Sequence, residues 1–333
     1  MAVTLKQICE EAGVSKATVS RVLNNHPLVS KETREKVQEV IQRLKFTPNA
    51  LARNLSLRRT DTIGVLFPWI FNGFFSTLLR GVDSAASELN YHVITSLSHD
   101  AGDENAMASR LLKERRIDGL ILMAPSLPAD QIEELKSIDV PLVVLQREIA
   151  DPEVNSVSVD NFDGGLKATA HLIERGCRRI LAIAGPQGSL DSDRREAGYR
   201  EALKQADIAF DPDLLIRSNF NKETAFTSFE NFRRRFAMPD AIFCFNDEIA
   251  LGMLKYLKTI GVRVPEDVAL IGFDGIEFTE FAELSTLTMP MQEMGRQAVR
   301  LLIKQIECKE KRTAEQLLLK GAVVERNSTR RRS

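Results

Sequence analysis

Apolar residues at the start of the chain recur in short bursts at helical spacing. Leu5, Ile8, Cys9 and Ala12 mark one helix face, Gly13 interrupts it, and Ser15 stands where an N-cap starts a second helix. Val19, Val22 and Leu23 of that second helix share the face that packs on the first, which turns Ala17, Ser20, Arg21 and Asn24 outward together. A third helix, capped at Ser30, adds Val37, Val40, Ile41 and Leu44 to the same small core. The expected unit is helix, tight turn, helix and a closing helix. In the segment TPNALARNLSLRRT that follows, Pro48 suits a first helical turn and Leu51 and Leu55 lie at i, i+4. A helix of about ten residues is too short to persist alone, since about 12 to 15 are marginal in water.

From Thr62 onward the rhythm changes. Short apolar runs (IGVLF, HVITSL, DGLILMA, PLVVLQ, then SVSVD, RRILAIAG, DAIFCFN and VALIGFD) alternate with longer amphipathic stretches. This is the signature of parallel α/β sheets, and two sets of runs imply two lobes. AGPQG and DNFDGG read as turns between elements. In open α/β sheets, ligands bind beyond the carboxyl ends of the strands. The residues just past those ends are Phe74, Phe75, Gln146, Arg147, Asp191, Arg195, Phe220, Asn246, Asp247 and Asp274. Aromatic faces with carboxylates, amides and arginines suit a polyhydroxylated ligand, whose hydroxyls donate and accept while its C–H face packs on a ring. Phe226, Phe229 and Phe236 fall on one helical face and are expected in the core rather than in a cofactor site.

Composition narrows the picture. The 333 residues, 44% hydrophobic, are enough for about two domains. The net charge of −1 is uneven: residues 1–60 hold 11 Lys and Arg against 5 Asp and Glu, net +6, and the remainder holds 34 against 41, net −7. A basic first segment suits a polyanion, and the outward face of its second helix suits a major groove: Arg pairs with guanine, Ala offers a methyl-sized contact, and Ser reaches phosphate or base. The start of the chain carries no apolar signal segment and no run nears a membrane span, so a cytoplasmic location without membrane contact is expected. Four scattered cysteines without CxxC spacing and four histidines suggest reduced thiols and no metal; Cys177, beside Arg178 and Arg179, is expected to be a structural thiol. There is no GxGxxG, no GxxxxGK[ST] and no histidine near a nucleophile motif, so neither an enzyme nor a bound cofactor is expected.

The stretch VTLKQICEEAGVSKATVSRVLNNHPLVSKETREKVQEVIQRLKFTPNALARNL resembles the N-terminal domain of the LacI/GalR family of bacterial transcription regulators, and the likeness extends to VVERNST near the end of the chain. The resemblance implies an N-terminal all-α helix-turn-helix DNA-binding domain (1–46), a hinge helix or linker (47–60) and an α/β two-lobe effector domain similar to periplasmic binding proteins (61–329). Within the latter the N-lobe takes about 61–160 and 291–324 and the C-lobe about 161–290, with 330–333 left as a basic tail. It implies that Lys16, Ala17 and Arg21 read bases, and that Thr4, Ser15, Asn24, Ser30, Thr33 and Asn49 grip phosphates. It also implies that Ala52, Arg53, Asn54 and Leu55 belong to a minor-groove hinge, with Leu55 as the wedge.

The same resemblance makes the strand-end residues effector contacts, with Ser189 beside Asp191 in the same loop. One departure stands out. After PLVVL many family members carry Asp-Arg, the aspartate holding ligand hydroxyls, whereas this chain has Gln146-Arg147. That leaves a sugar acid, a phosphorylated sugar or a purine or nucleoside-like ligand open beside a neutral sugar. Expected partners are a pseudo-palindromic double-stranded DNA operator, a small-molecule effector and a second copy of the chain; a phosphocarrier protein is an alternative partner. Because only RRRS follows VVERNST, with no leucine heptads, a dimer is expected rather than a tetramer. The expected function is that of a repressor whose operator affinity an effector changes; a sugar-binding transport module is the rival outside this class.

Overall fold

The computed structural model describes residues 3–23, 27–46, 59–68, 73–98, 103–114, 116–123, 129–138, 140–147, 153–308 and 314–330. The chain divides into two compact units, Met1–Thr60 and Asp61–Ser333.

In the first unit α1 spans Leu5–Ala12, α2 Lys16–Leu23 and α3 Lys31–Arg43. Thr4 and Gln7 form a reciprocal capping box at the start of α1, and Gly13, at φ 64°, ends that helix by donating its N–H to the Cys9 and Glu10 carbonyls. Ile8, Ala12, Val19, Val22, Val37 and Val40 are buried together, so each helix contributes two residues to one core.

The second unit contains two six-stranded sheets. The first is built from β1 (Thr62–Pro68), β2 (His92–Ser98), β3 (Gly119–Met123), β4 (Leu142–Leu145), β5 (Asn155–Val159) and β11 (Gln316–Leu319), in the order β11-β5-β4-β3-β1-β2, all parallel. The second is built from β6 (Ile180–Ala184), β7 (Leu215–Arg217), β8 (Ala241–Cys244), β9 (Ala269–Asp274), β10 (Ser285–Thr288) and β12 (Ala322–Val324), in the order β12-β10-β9-β8-β6-β7. β3, β4, β5, β6, β8 and β9 are buried along their whole length. That burial explains why all of these but β5, which reads NSVSV, are nearly continuous apolar runs rather than alternating ones.

Two expectations need correction. Residues 322–324, expected with the first lobe, pair antiparallel with β10 in the second sheet. The chain turns back at Gly321, where an added Cβ would lie 2.7 Å from the Thr288 carbonyl oxygen. DNFDGG is the start of a helix rather than a turn. In the helix Asn161–Glu174 the Asp160 carboxylate accepts the Asp163 N–H at 2.9 Å, an N-cap that the glycine pair obscures in the sequence.

Those glycines serve packing. A Cβ at Gly165 would lie 2.3 Å from the Arg195 carbonyl oxygen, and one at Gly198, in the helix Leu190–Gln205, 2.2 Å from the Phe162 carbonyl oxygen. The two helix backbones therefore touch directly. The first lobe repeats the device: a Cβ at Gly81 would lie 2.0 Å from the Gln292 carbonyl oxygen, and one at Gly295 2.4 Å from that of Leu78. This joins the helices Gly73–Glu88 and Met291–Glu307. Because backbone cannot yield as a flexible side chain can, Gly198→Val is expected to destabilise the protein by about 1–3 kcal/mol, the usual cost of overpacking. A urea titration reads this as a lower midpoint; an unchanged midpoint would show that the helices separate at no cost.

Candidate functional site

In the first unit, Lys16, Ala17, Ser20 and Arg21 are all exposed on α2, while Val19 and Val22 face the core. The four short polar residues expected at phosphates stand at helix starts. Thr4 caps α1, the Ser15 hydroxyl accepts the Thr18 N–H at 3.1 Å, and the Ser30 hydroxyl accepts the Thr33 N–H at 3.2 Å while donating to the Thr33 hydroxyl at 2.8 Å. A helix N-terminus presents N–H groups and the positive end of its dipole, which favours a phosphate beside it. Asn24, Asn49, Ala52, Arg53, Asn54 and Leu55 lie outside the described residues.

In the second unit the strand-end residues converge around one buried cation. Arg195 is 4% exposed. Its Nε donates to the Asn161 side-chain oxygen at 2.8 Å, Nη1 donates to the Phe245 carbonyl, and Nη2 lies 3.6 Å from an Asp274 carboxylate oxygen. The guanidinium also rests 3.8 Å from the centroid of the Phe273 ring. Asn161 donates in turn to Asp191 at 2.9 Å. Asn161 is not among the residues the sequence pattern singles out, because DNFDGG reads as a turn; the Asp160–Asp163 capping spacing is the signal that places it at a helix start.

Asp247 occupies a different place from the one expected of a ligand contact. It is fully buried, and its carboxylate accepts the Gly275 and Ile276 N–H groups at 2.6 and 2.9 Å and the Thr286 hydroxyl at 2.6 Å. It thus holds the turn at Gly275 and Ile276 that follows Asp274, the last residue of β9. Asn246 caps the helix Asp247–Thr259 by accepting the Ile249 N–H at 2.8 Å, which commits its oxygen. Burial raises the pKa of all three aspartates. Asp247 is pushed up to about 7, with its three hydrogen bonds and Arg195 opposing the rise. Asp274 is raised by burial against the pull of Arg195, with Asp247 and Asp191 adding to the rise, and Asp191 is raised by burial against Arg195 and Asn161.

Past β4, Gln146 is 2% exposed and adopts φ 57°; its backbone N–H donates to Val157, while its side-chain oxygen has no hydrogen-bond partner. The Arg147 Nη1 is likewise buried and unpartnered. Phe220, at φ 56°, lays its ring over Gly185, where a Cβ would lie 2.3 Å from the ring edge. Asp274 has φ 116°. Three strand-end residues other than glycine therefore hold left-handed backbones, the kind of strain that concentrates at ligand sites.

Phe74 and Phe75 are buried near the start of their helix, which meets the second lobe where a Cβ at Gly73 would lie 3.0 Å from the Ile276 Cβ. Phe75 turns away from the polar cluster. It packs edge-on against Phe67, centroids 5.6 Å apart, and lines a groove of about 460 Å³ with Leu79, Val93 and Leu97, because its helix presents that face to β2. Phe229 is a core residue, and Phe226 stacks on Tyr256 with centroids 5.3 Å apart, in keeping with their expected packing role.

A basic three-helix unit with an exposed polar helix face, in the same chain as two mainly parallel sheets carrying buried polar groups past their strand ends, defines a DNA-binding regulator with a ligand-binding domain. Residues 4–49 match the family described as bacterial regulatory proteins, lacI family, and residues 169–329 match the periplasmic binding protein-like domain. The chain is 33% identical to the HTH-type transcriptional repressor PurR of Vibrio atlanticus, over 98% of each chain. It is 35% identical to the catabolite control protein A of Staphylococcus epidermidis, over 91% of this chain and 92% of that one. Among solved structures it superposes on the lac repressor dimer bound to operator and the anti-inducer ONPF with a TM-score of 0.87, 27% identity and 99% of each chain covered. The complex of the transcriptional regulator CelR with cellobiose gives a TM-score of 0.74 and 31% identity, covering 98% of this chain and 99% of that one. The chain belongs to the lacI family of bacterial regulatory proteins, and the relatives named here are transcription regulators, not enzymes. No helix among the described residues is long and apolar enough to cross a membrane.

The raised Asp247 pKa has a measurable consequence. The folded state holds that proton more tightly than the unfolded chain, so the associated stability is present below the ordinary aspartate pKa and is lost as pH rises through about 7. In Asp247→Asn, the amide oxygen can accept the two backbone N–H groups and its nitrogen can donate to Thr286. The decline in Tm between about pH 4 and pH 7 is therefore expected to be shallower than in the parent protein. Parallel Tm profiles for the two proteins would contradict the assignment.

Proposed function

We propose that this protein is a homodimeric repressor that binds a pseudo-palindromic operator and whose operator affinity changes when a small polyhydroxylated molecule, a sugar or sugar derivative, occupies the site past the strand ends. The observation that carries this reading is the buried Arg195–Asn161–Asp191–Asp274 cluster at the carboxyl ends of the second sheet, in a chain whose first helical unit exposes Lys16, Ala17 and Arg21 on one helix. Carboxylates and amides fixed by their neighbours suit hydroxyl groups, each of which donates and accepts. Two relatives support parts of the reading: the lac repressor structure is a dimer on operator, and the CelR structure holds cellobiose.

DNA reading and ligand sensing should separate by mutation. Arg21→Ala is expected to cost about 1–3 kcal/mol on the operator and little on random duplex, as for a base-reading arginine. Equal losses on both would reassign it to phosphate. Asp274→Asn is expected to weaken effector binding about tenfold while leaving ligand-free operator affinity near that of the parent, since an imperfectly replaced polar contact costs about 1–3 kcal/mol. An operator titration with and without the sugar that most raises Tm in a thermal screen measures both effects. A parental response from folded Asp274→Asn would move the effector site elsewhere.

A further inference from the structure

We infer that the effector is anionic: a polyhydroxylated molecule whose carboxylate or phosphate group pairs with Arg147. This rests on the ligand-controlled reading above and specifies its chemistry. The two cations at the strand ends differ in their surroundings. Arg195 has a carboxylate, a backbone carbonyl and an amide oxygen around it, and so is neutralised and saturated from within the protein. Arg147 has neither. Its Nη1 is buried without an acceptor, and the guanidinium makes no ion pair with any described residue.

The neighbouring position deepens the asymmetry. A carboxylate at 146 would supply a counter-charge one residue away, but the chain carries a neutral amide there. The Gln146 side chain is 2% exposed, and its oxygen is also unpartnered. The acidic groups of the site, Asp191, Asp247 and Asp274, all follow strands of the second sheet, each engaged by protein donors. Arg147 is half-buried, with its Nη1 shut away from water and given no acceptor, and a bidentate oxyanion is the group whose geometry and charge both match a guanidinium so placed. Bound there, the anion answers the Arg147 Nη1, and a hydroxyl beside it donates to the Gln146 oxygen. The remaining hydroxyls face the aspartate and asparagine side chains across the site. A neutral sugar could offer Arg147 an acceptor oxygen but no charge.

The full-length protein is tested by thermal shift and calorimetry with D-gluconate, D-glucuronate and D-glucose 6-phosphate, set beside D-glucose, cellobiose and hypoxanthine at equal concentration. At least one anionic probe is expected to raise Tm above the neutral ones and to bind more weakly as salt increases. Arg147→Gln is expected to weaken that probe about tenfold or more, and Arg147→Lys, which keeps the charge but loses the bidentate fork, to weaken it less while still favouring it over neutral sugars. A response to gluconate or glucuronate identifies a carboxylate ligand, and a response confined to glucose 6-phosphate a phosphate. The inference is overturned if a neutral probe binds best, if none of the anions binds, or if anion affinity is unchanged in Arg147→Gln. Should a neutral probe bind and shift operator affinity, the ligand-controlled repressor stands and only the anionic preference falls. Should no probe bind or alter operator affinity, both readings fall.

Discussion

A single buried guanidinium organises the ligand-binding unit. Arg195 projects from the helix after β6, yet its nitrogens bind the start of the helix after β5, the carbonyl following β8 and the carboxylate ending β9. Each of those groups would otherwise be a buried polar atom at a strand end, where the ladder no longer supplies partners. The cation converts them into one fixed arrangement, and the ring of Phe273 beneath it excludes water from one side. Removing it would strand a carboxylate, a carbonyl and an amide together, so its loss reaches well beyond one contact.

Around that cation the protein keeps three aspartates, each inclined to hold its proton. Their roles differ by depth. Asp247 is closed in by three donors and fixes the loop that positions Asp274, whereas Asp191 and Asp274 are tied more loosely, through Asn161 and Arg195. The glycine contact between the helices at Gly165 and Gly198 makes the arrangement possible, because it brings Asn161 and Arg195 within reach of each other. Backbone packing and side-chain chemistry are here one design.

Much of this was legible in the sequence where local pattern decides structure. The first three helices follow from apolar spacing, Gly13 and the capping hydroxyls, and the buried strands follow from their uninterrupted apolar runs. The strand-end rule also picked out Arg195, Asp191 and Asp274, which the fold brings together around Asn161. What pattern could not supply was direction. Asp247 and Asp274 are both aspartates past strand ends, but only tertiary packing aims the first at the 275–276 backbone. Phe75 follows β1 as expected yet points toward β2. Asn161 was hidden because glycines that serve a helix crossing look, in one dimension, like glycines that serve a turn. The pairing of β12 with β10 likewise depends on contacts about 35 residues apart, which no local window contains.

The chain passes between the two sheets at three places among the described residues: from β5 into the helix that begins at Asn161, from β10 into the helix that begins at Met291, and from β11 to β12. Two of these passages lie against each other, since Gly321 abuts the Thr288 carbonyl. Three short segments thus link two lobes, each of which holds a helix pair packed backbone against backbone. A rotation about these segments would move the groups beside them least and the far ends of the two lobes most.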